Sequence, residues 1–162
     1  MKASQRVENW NIVADIVTPD VRSRMMAGIG GKNTKPELLI RKALHARGLR
    51  FRLHRKDLPG KPDLVFSKYR AVLFVNGCFW HGHDCHLFKW PSTRPEFWKQ
   101  KIASNQARDK RNLDKLRKED WRIGVIWECA VKGRKRQPVG QIIDDCKTWL
   151  LSQRHFHEVS GQ

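Results

Sequence analysis

The chain of 162 residues carries 33 Lys and Arg against 16 Asp and Glu, a net charge of +17 at pH 7 and a pI near 10.4. That length suits one domain that hides roughly 68–70% of its unfolded surface, and the charge favours a polyanionic partner through counterion release. No apolar run approaches the roughly 20 residues of a membrane span, and no clear lipidation signal or basic amphipathic helix argues for a membrane surface. The N-terminus lacks a signal-peptide core, so a reducing cytoplasm is expected, where four cysteines read as metal ligands or buried thiols rather than disulfides.

Residues 1–20 mix polar residues with a short apolar patch (Ile12, Val13, Ile16, Val17) and stop at Thr18-Pro19-Asp20, which reads as a weakly ordered N-terminal extension. Arg22-Ser23-Arg24-Met25-Met26 followed by Gly28, Gly30 and Gly31 reads as a flexible basic segment. Such an arm can follow a DNA groove with a methionine as an apolar wedge; a solvated linker with its methionines on the core is the alternative. Thr34-Lys35-Pro36-Glu37 is a capping box that starts a helix with Leu38, Leu39, Ala43 and Leu44 on its apolar face and Gly48 at its end. Capping alone accounts for Glu37, and an active-site role is the competing reading.

Leu49, Phe51 and Leu53 alternate with Arg50, Arg52 and His54, the pattern of a half-buried strand with a basic outer face. After a loop closed by Pro59-Gly60-Lys61-Pro62, the runs Asp63–Phe66 and Ala71–Val75 predict two buried strands joined by a turn near Ser67-Lys68. An aspartate that opens an apolar strand is costly to bury without a cation or hydrogen bonds, which singles out Asp63. Residues 95–119 predict a long charged helix with sparse apolar positions (Phe97, Trp98, Ile102, Leu113, Leu116) and a solvated cationic face. Trp121–Trp127 predicts another strand, Val139–Ser152 an amphipathic helix, and 153–162 a frayed C-terminal tail. The order indicates an α/β fold, a central mixed β-sheet flanked by helices, in a domain spanning 21–152.

The densest chemistry lies in Val75-Asn76-Gly77-Cys78-Phe79-Trp80-His81-Gly82-His83-Asp84-Cys85. Cys78, His83 and Cys85 can reach one ion through a tight loop, and Cys129 at a strand end completes a closed tetrahedral Cys3His zinc site. A closed site leaves no position for water, so its role would be structural. His81 and His86 are rival ligands by proximity, whereas Cys146 reads as a buried thiol on a helix face.

Pro62-Asp63 followed by a hairpin resembles the restriction-endonuclease-like nucleases, although Phe74-Val75-Asn76 stands where their acid-x-lysine element would be. Together with Gly60-Lys61, Cys78-Phe79-Trp80-His81, His83, Cys85, Thr93-Arg94, Phe97-Trp98 and Trp127-Glu128-Cys129, it is similar to the very-short-patch-repair (Vsr) mismatch endonucleases from about Val21 to Leu150.

That resemblance implies a bacterial enzyme that nicks one strand of duplex DNA beside a T:G mismatch, initiating repair of deaminated 5-methylcytosine. It implies magnesium on the Asp63 carboxylate and the Val75 backbone carbonyl, His81 as acid/base, and Glu37 orienting His81 or a water. Phe79 and Trp80 would wedge into the stack, with Met26 entering from the arm, and zinc would sit on Cys78, His83, Cys85 and Cys129. A monomer in the cytoplasm, on the nucleoid when bound to DNA and alongside mismatch-repair proteins, completes the expectation. Asn76 stands where the best-known members carry a second histidine; its amide can position water or phosphate but cannot exchange a proton near neutral pH. Each residue also has a plainer reading: His81 as zinc ligand or solvated loop residue, Phe79 and Trp80 as core, Asp63 as a strand-start cap. A zinc-stabilised DNA-binding module without catalysis, or a nuclease of this fold acting on another DNA substrate, are the competing functions.

Overall fold

A computed structural model describes residues 31–162 together with Thr18, Asp20, Val21 and Arg24. The chain divides into a unit of residues 1–30 and one of 31–162. In the first, the Val21 N–H donates to Thr18 Oγ1 at 3.4 Å. Most of the N-terminal extension, and the Met26 expected to act as a wedge, lie outside the described residues.

The second unit is an α/β sandwich around one five-stranded mixed sheet. Its elements are α1 (Lys35–Ala46), β1 (Arg52–Leu53), β2 (Leu64–Phe66), β3 (Ala71–Asn76), α2 (Pro95–Lys118), β4 (Arg122–Trp127), α3 (Glu128–Val131), α4 (Val139–Leu151) and β5 (Phe156–Val159). The strands lie in sequence order, β1, β2 and β3 antiparallel and β3, β4 and β5 parallel. The hairpin signals give the antiparallel half, since a one-turn 3₁₀ segment (Ser67–Tyr69) suffices between β2 and β3. Parallel pairing demands a crossover, which α2 supplies before β4 and α4 before β5.

Period-two alternation splits the strands between two cores. Leu64, Phe66, Leu73 and Ile126 face α1 and α4, meeting Ile40, Leu44, Ile142, Ile143 and Trp149. Val65, Val72, Ile123 and Val125 face the α2 side with Leu116 and Trp121. Gly124 makes room for the fully buried Trp149: a Cβ there would stand 2.7 Å from Leu73 and 2.9 Å from the indole. Truncating Trp149 would cost on the order of 3–5 kcal/mol. Arg122 caps the C-terminal end of α4, donating to the carbonyls of Trp149 and Leu150 at 2.5 and 3.1 Å.

Two expectations are corrected here. The tail after Ser152 does not fray: Phe156–Val159 forms the edge strand β5, paired with Ile123–Ile126. The strand expected over Leu49–His54 is only two residues long, and both are exposed. His54 leaves the alternating pattern because its φ of +48° turns the chain into the left-handed region.

Candidate active site and thiolate cluster

Strand register brings the distant cysteines together. Asn76 pairs with Trp127 at the ends of the parallel strands β3 and β4, so Cys78 and Cys129, each two residues further on, leave the sheet side by side. The loop then folds back through turns in which the His83 N–H donates to the Cys78 carbonyl (3.0 Å) and the Gly82 N–H to that of Phe79 (3.3 Å). Cys78, His83, Cys85 and Cys129 converge, with one ligand atom from each within 4.8 Å of the others. Three thiols and an imidazole in a partly or wholly buried pocket are a donor set suited to tetrahedral zinc. Burial pushes the Cys78 and Cys129 thiols upward, a cost that a bound cation removes by stabilising thiolate. Burial also lowers His83, keeping its imidazole neutral as a ligand must be.

His81 and His86 stay out of this set. His81 turns to the cleft, and both ring nitrogens of His86 are buried without a hydrogen-bond partner among the described residues, against the space above Gly133. Around the cluster, the Gly161 N–H donates to Cys129 Sγ at 3.2 Å, and the Trp127 indole stacks on the His83 ring at 4.1 Å and 9°.

The second constellation lies beside it. A cleft of about 830 Å³ is lined by Asp63, Val75, Asn76, His81, Arg108 and Asp109, among others. Asp63 precedes β2, and its Oδ2 accepts the Val75 N–H at 2.7 Å, tying the aspartate to the end of β3. His81 is held by α2: its Nδ1 lies 2.5 Å from Asp109 Oδ2, and Gln106 Nε2 donates to its carbonyl at 3.3 Å. Asn105 Nδ2 donates to the Trp80 carbonyl at 2.9 Å, so one helix clamps three successive loop residues. Gly82 is required at that clamp, with φ at +60° and only 2.6 Å between an added Cβ and both Gln106 and Ile102.

The resemblance implied Glu37 orienting His81 or a water; among the described residues its carboxylate meets Asn33, Arg41 and His54. Glu37 is 1% exposed, its Oε2 accepts the Asn33 N–H at 2.6 Å, and its Oε1 faces Arg41 at 3.2 Å and His54 Nε2 at 3.1 Å. The Thr34 cap forms, its Oγ1 accepting the Glu37 N–H at 3.3 Å, so Glu37 both closes the cap and reaches the site. Asp109 and His54 are the residues that sequence reasoning missed. Asp109 carried a signal, because Ile102, Asn105, Asp109, Leu113 and Leu116 share one face of α2 at helical spacing. His54 carried none, because it occupies an outward position in the alternating pattern.

Phe79 and Trp80 are half-buried. They meet each other edge-to-face at 5.2 Å, Phe79 touches Trp98 at 5.1 Å and Phe88 at 6.2 Å, and Phe88 leads on to Trp90 at 5.0 Å. Trp90 is 55% exposed, so the ring chain runs from the loop core to the surface.

Residues 14–87 match the family model described as DNA mismatch endonuclease Vsr. The chain is 39% identical over 150 residues to the DNA mismatch endonuclease Vsr of Escherichia coli K12, covering 93% of this chain and 96% of that protein. It is 50% identical over 119 residues to a type II nicking enzyme, V.XorIIP, of Xanthomonas oryzae pv. oryzae, covering 74% and 88%. A third relative, the type II nicking enzyme V.NmeAIP of Neisseria meningitidis, is 40% identical over 137 residues, covering 83% and 98%. The chain belongs to the Vsr family.

As a Vsr-family protein it is a DNA-nicking endonuclease, and DNA is its partner. The binding-only alternative is thereby set aside. Among the described residues, no helix is long and apolar enough to cross a membrane. The electrostatics of the Vsr cleft suit phosphate hydrolysis. Asp63 is pushed up to about 7, chiefly by burial and further by the Glu37 charge, against the Val75 hydrogen bond and the His81 charge. Such a carboxylate is short of positive charge, the condition a divalent cation relieves. Burial also works to raise Asp109, but the His81 hydrogen bond and charge, with Arg108, outweigh it and hold the carboxyl below its usual range.

Proposed function

We propose that this endonuclease nicks one strand of duplex DNA beside a thymine mispaired with guanine, in a magnesium-dependent reaction that initiates repair of deaminated 5-methylcytosine. The observation that carries this reading is the shared cleft of Asp63 and the Asp109-braced His81, next to a loop bearing Phe79 and Trp80.

Asp63, with the Val75 carbonyl, would hold the magnesium ion, which when bound supplies Lewis-acid charge for the phosphate oxygens. With Nδ1 turned to Asp109, His81 keeps Nε2 as the nitrogen that exchanges a proton with water or the leaving oxygen. Asn76, at the end of β3, would position water or phosphate through its amide. Cys78, His83, Cys85 and Cys129 would hold zinc as a staple that fixes the loop between them. Phe79 and Trp80 would enter the base stack, where unstacking costs a few kcal/mol per step and least at a mispair. The net charge of +17 supplies the sequence-independent part of the affinity. The protein would act as a monomer, in the cytoplasm.

The test is a nicking assay on matched and mismatched duplexes with magnesium. The reading expects one nick beside T:G and little on T:A, with loss of about 10²–10⁴-fold in His81→Ala and at least as much in Asp63→Asn. Equal nicking of matched DNA would overturn the mismatch specificity, and full activity in both variants would overturn the site.

A further inference from the structure

We propose that His54 is a nitrogen ligand of the cation held by Asp63, giving this enzyme a mixed nitrogen–oxygen site that still admits the magnesium of the proposed reaction but binds manganese(II) more tightly. The inference rests on the reading of Asp63 as a cation ligand and goes beyond it, because an oxygen-only site needs no imidazole.

Three donors from three parts of the chain meet at this point. Glu37 comes from the first turn of α1, His54 follows directly after β1, and Asp63 directly precedes β2. One ligand atom from each lies within 4.8 Å of the others. His54 Nε2 is 3.1 Å from Glu37 Oε1, and Nδ1 is 3.9 Å from Asp63 Oδ1. Ligands about 2.0–2.3 Å from one ion stand no more than about 4.6 Å apart, so the set closes around a cation with small adjustment.

The backbone is bent to bring the ring there. At φ +48° His54 adopts a conformation that costs a non-glycine residue roughly 1–2 kcal/mol. The hairpin holds the bend in place, since the His54 N–H donates to the Asp63 carbonyl at 3.2 Å. Strain of this kind collects where a side chain has to be aimed. Among the described residues, the buried Nε2 finds no hydrogen-bond partner, although it stands close to Glu37. A ring whose two nitrogens face two carboxylates, one of them at 3.1 Å, is placed to share a cation with them.

The choice of metal follows from donor chemistry. Magnesium requires near-ideal octahedral geometry and dehydrates reluctantly, whereas manganese(II), although the weakest binder among the first-row divalent transition ions, is softer than magnesium and accepts one imidazole beside carboxylates. Glu37 Oε1 also faces Arg41 at 3.2 Å, so the guanidinium fixes this carboxylate while Asp63 and His54 supply the other donors.

The experiment titrates the full-length, zinc-loaded protein with manganese(II), read by the electron paramagnetic resonance of free manganese, and repeats it with magnesium as competitor. Electron spin-echo modulation of the bound ion reports directly on a coordinated nitrogen. The proposal expects imidazole ¹⁴N modulation in the wild type that is lost in His54→Gln. It also expects that variant to lose about tenfold or more in manganese affinity while magnesium affinity changes less than about threefold. Absence of nitrogen modulation in the wild type overturns the proposal, whatever the variant does, and so does an unchanged manganese-to-magnesium ratio in His54→Gln. Asp63→Asn separates the two ideas: loss of both metals keeps the Asp63 reading standing when the His54 result fails, and retained binding of both removes that reading itself.

Discussion

The Nδ1 of His81 and the Oδ2 of Asp109 lie 2.5 Å apart, joining the loop after β3 to the middle of α2. A carboxylate behind an imidazole fixes its orientation and tautomer and stabilises the imidazolium formed when the outer nitrogen takes a proton. Asp109 is held below the normal carboxylate range, so it remains charged across neutral pH. Asp109→Asn is expected to lower kcat by about 10²–10³-fold, within the range of a lost acid/base contribution, and to leave KM for DNA within about threefold. Steady-state nicking kinetics check this, and a variant with wild-type kcat would show that the contact only packs the helix.

Asp63 makes the metal-free protein pH-sensitive. Its pKa rises from 3.8 to about 7 on folding, so the folded state binds more protons than the unfolded chain in that interval. The stability linked to this group is full below the unfolded value and is lost as pH rises through about 7. Between pH 5 and 8 the melting temperature without divalent cation should therefore fall. Asp63→Asn, which retains an oxygen for the Val75 N–H, should be more stable than wild type at pH 8 by about 2–4 kcal/mol. Thermal melts across pH with and without magnesium measure it. A wild-type curve that stays flat between those limits would mean that the buried carboxylate already has its counter-charge from protein groups.

For the thiolate cluster, the expected stoichiometry is one zinc per chain. Removing the ion leaves thiols whose pKa values are raised by burial, beside an imidazole that burial keeps neutral. Chelation, or Cys129→Ser, should lower the melting temperature by roughly 10 °C or more, since structural zinc binding is folding free energy. Near-ultraviolet dichroism should change with it, because Trp127 stacks on His83 of the cluster. Elemental analysis without zinc, joined to melts indifferent to chelator, would leave the four residues as a plain packed cluster.

Much of this arrangement was legible in the sequence where local pattern and tertiary structure agree. The capping box placed α1, the two apolar runs placed β2 and β3, and the thiol and imidazole spacing around Cys78 and Cys85 anticipated the convergence with Cys129. What escaped depends on contacts between distant residues. Asp109 was masked by the cations beside it, Arg108 and Lys110, which make a charged helix read as solvated throughout. His54 obeyed the outward phase of its strand until a single left-handed residue reversed it, and no pattern of side-chain polarity encodes that backbone bend. β5 has only Phe156 and Val159 as apolar residues, because an edge strand needs little more.

The same strand gives the last prediction. Residues 153–162 reach the region of the Cys/His cluster twice: Glu158 Oε1 accepts the Trp127 indole N–H at 2.5 Å, and the Gly161 N–H donates to Cys129 Sγ. Trp127 in turn stacks on His83 and stands edge-on to His81 at 6.2 Å, so β5 braces the rings at both constellations. Hydrogen bonds to ligand atoms and their neighbours typically govern metal affinity by about 10–100-fold. Truncation after Arg154 removes those bonds and the whole pairing to β4, and should weaken zinc retention by about that factor while lowering the melting temperature. Glu158→Gln separates the two effects, because its amide oxygen can still accept the indole N–H while the charge is lost. Zinc retention near wild type in Glu158→Gln, set against its loss in Glu158→Ala, would assign the bracing to the hydrogen bond; loss in both would assign it to the carboxylate charge beside His83.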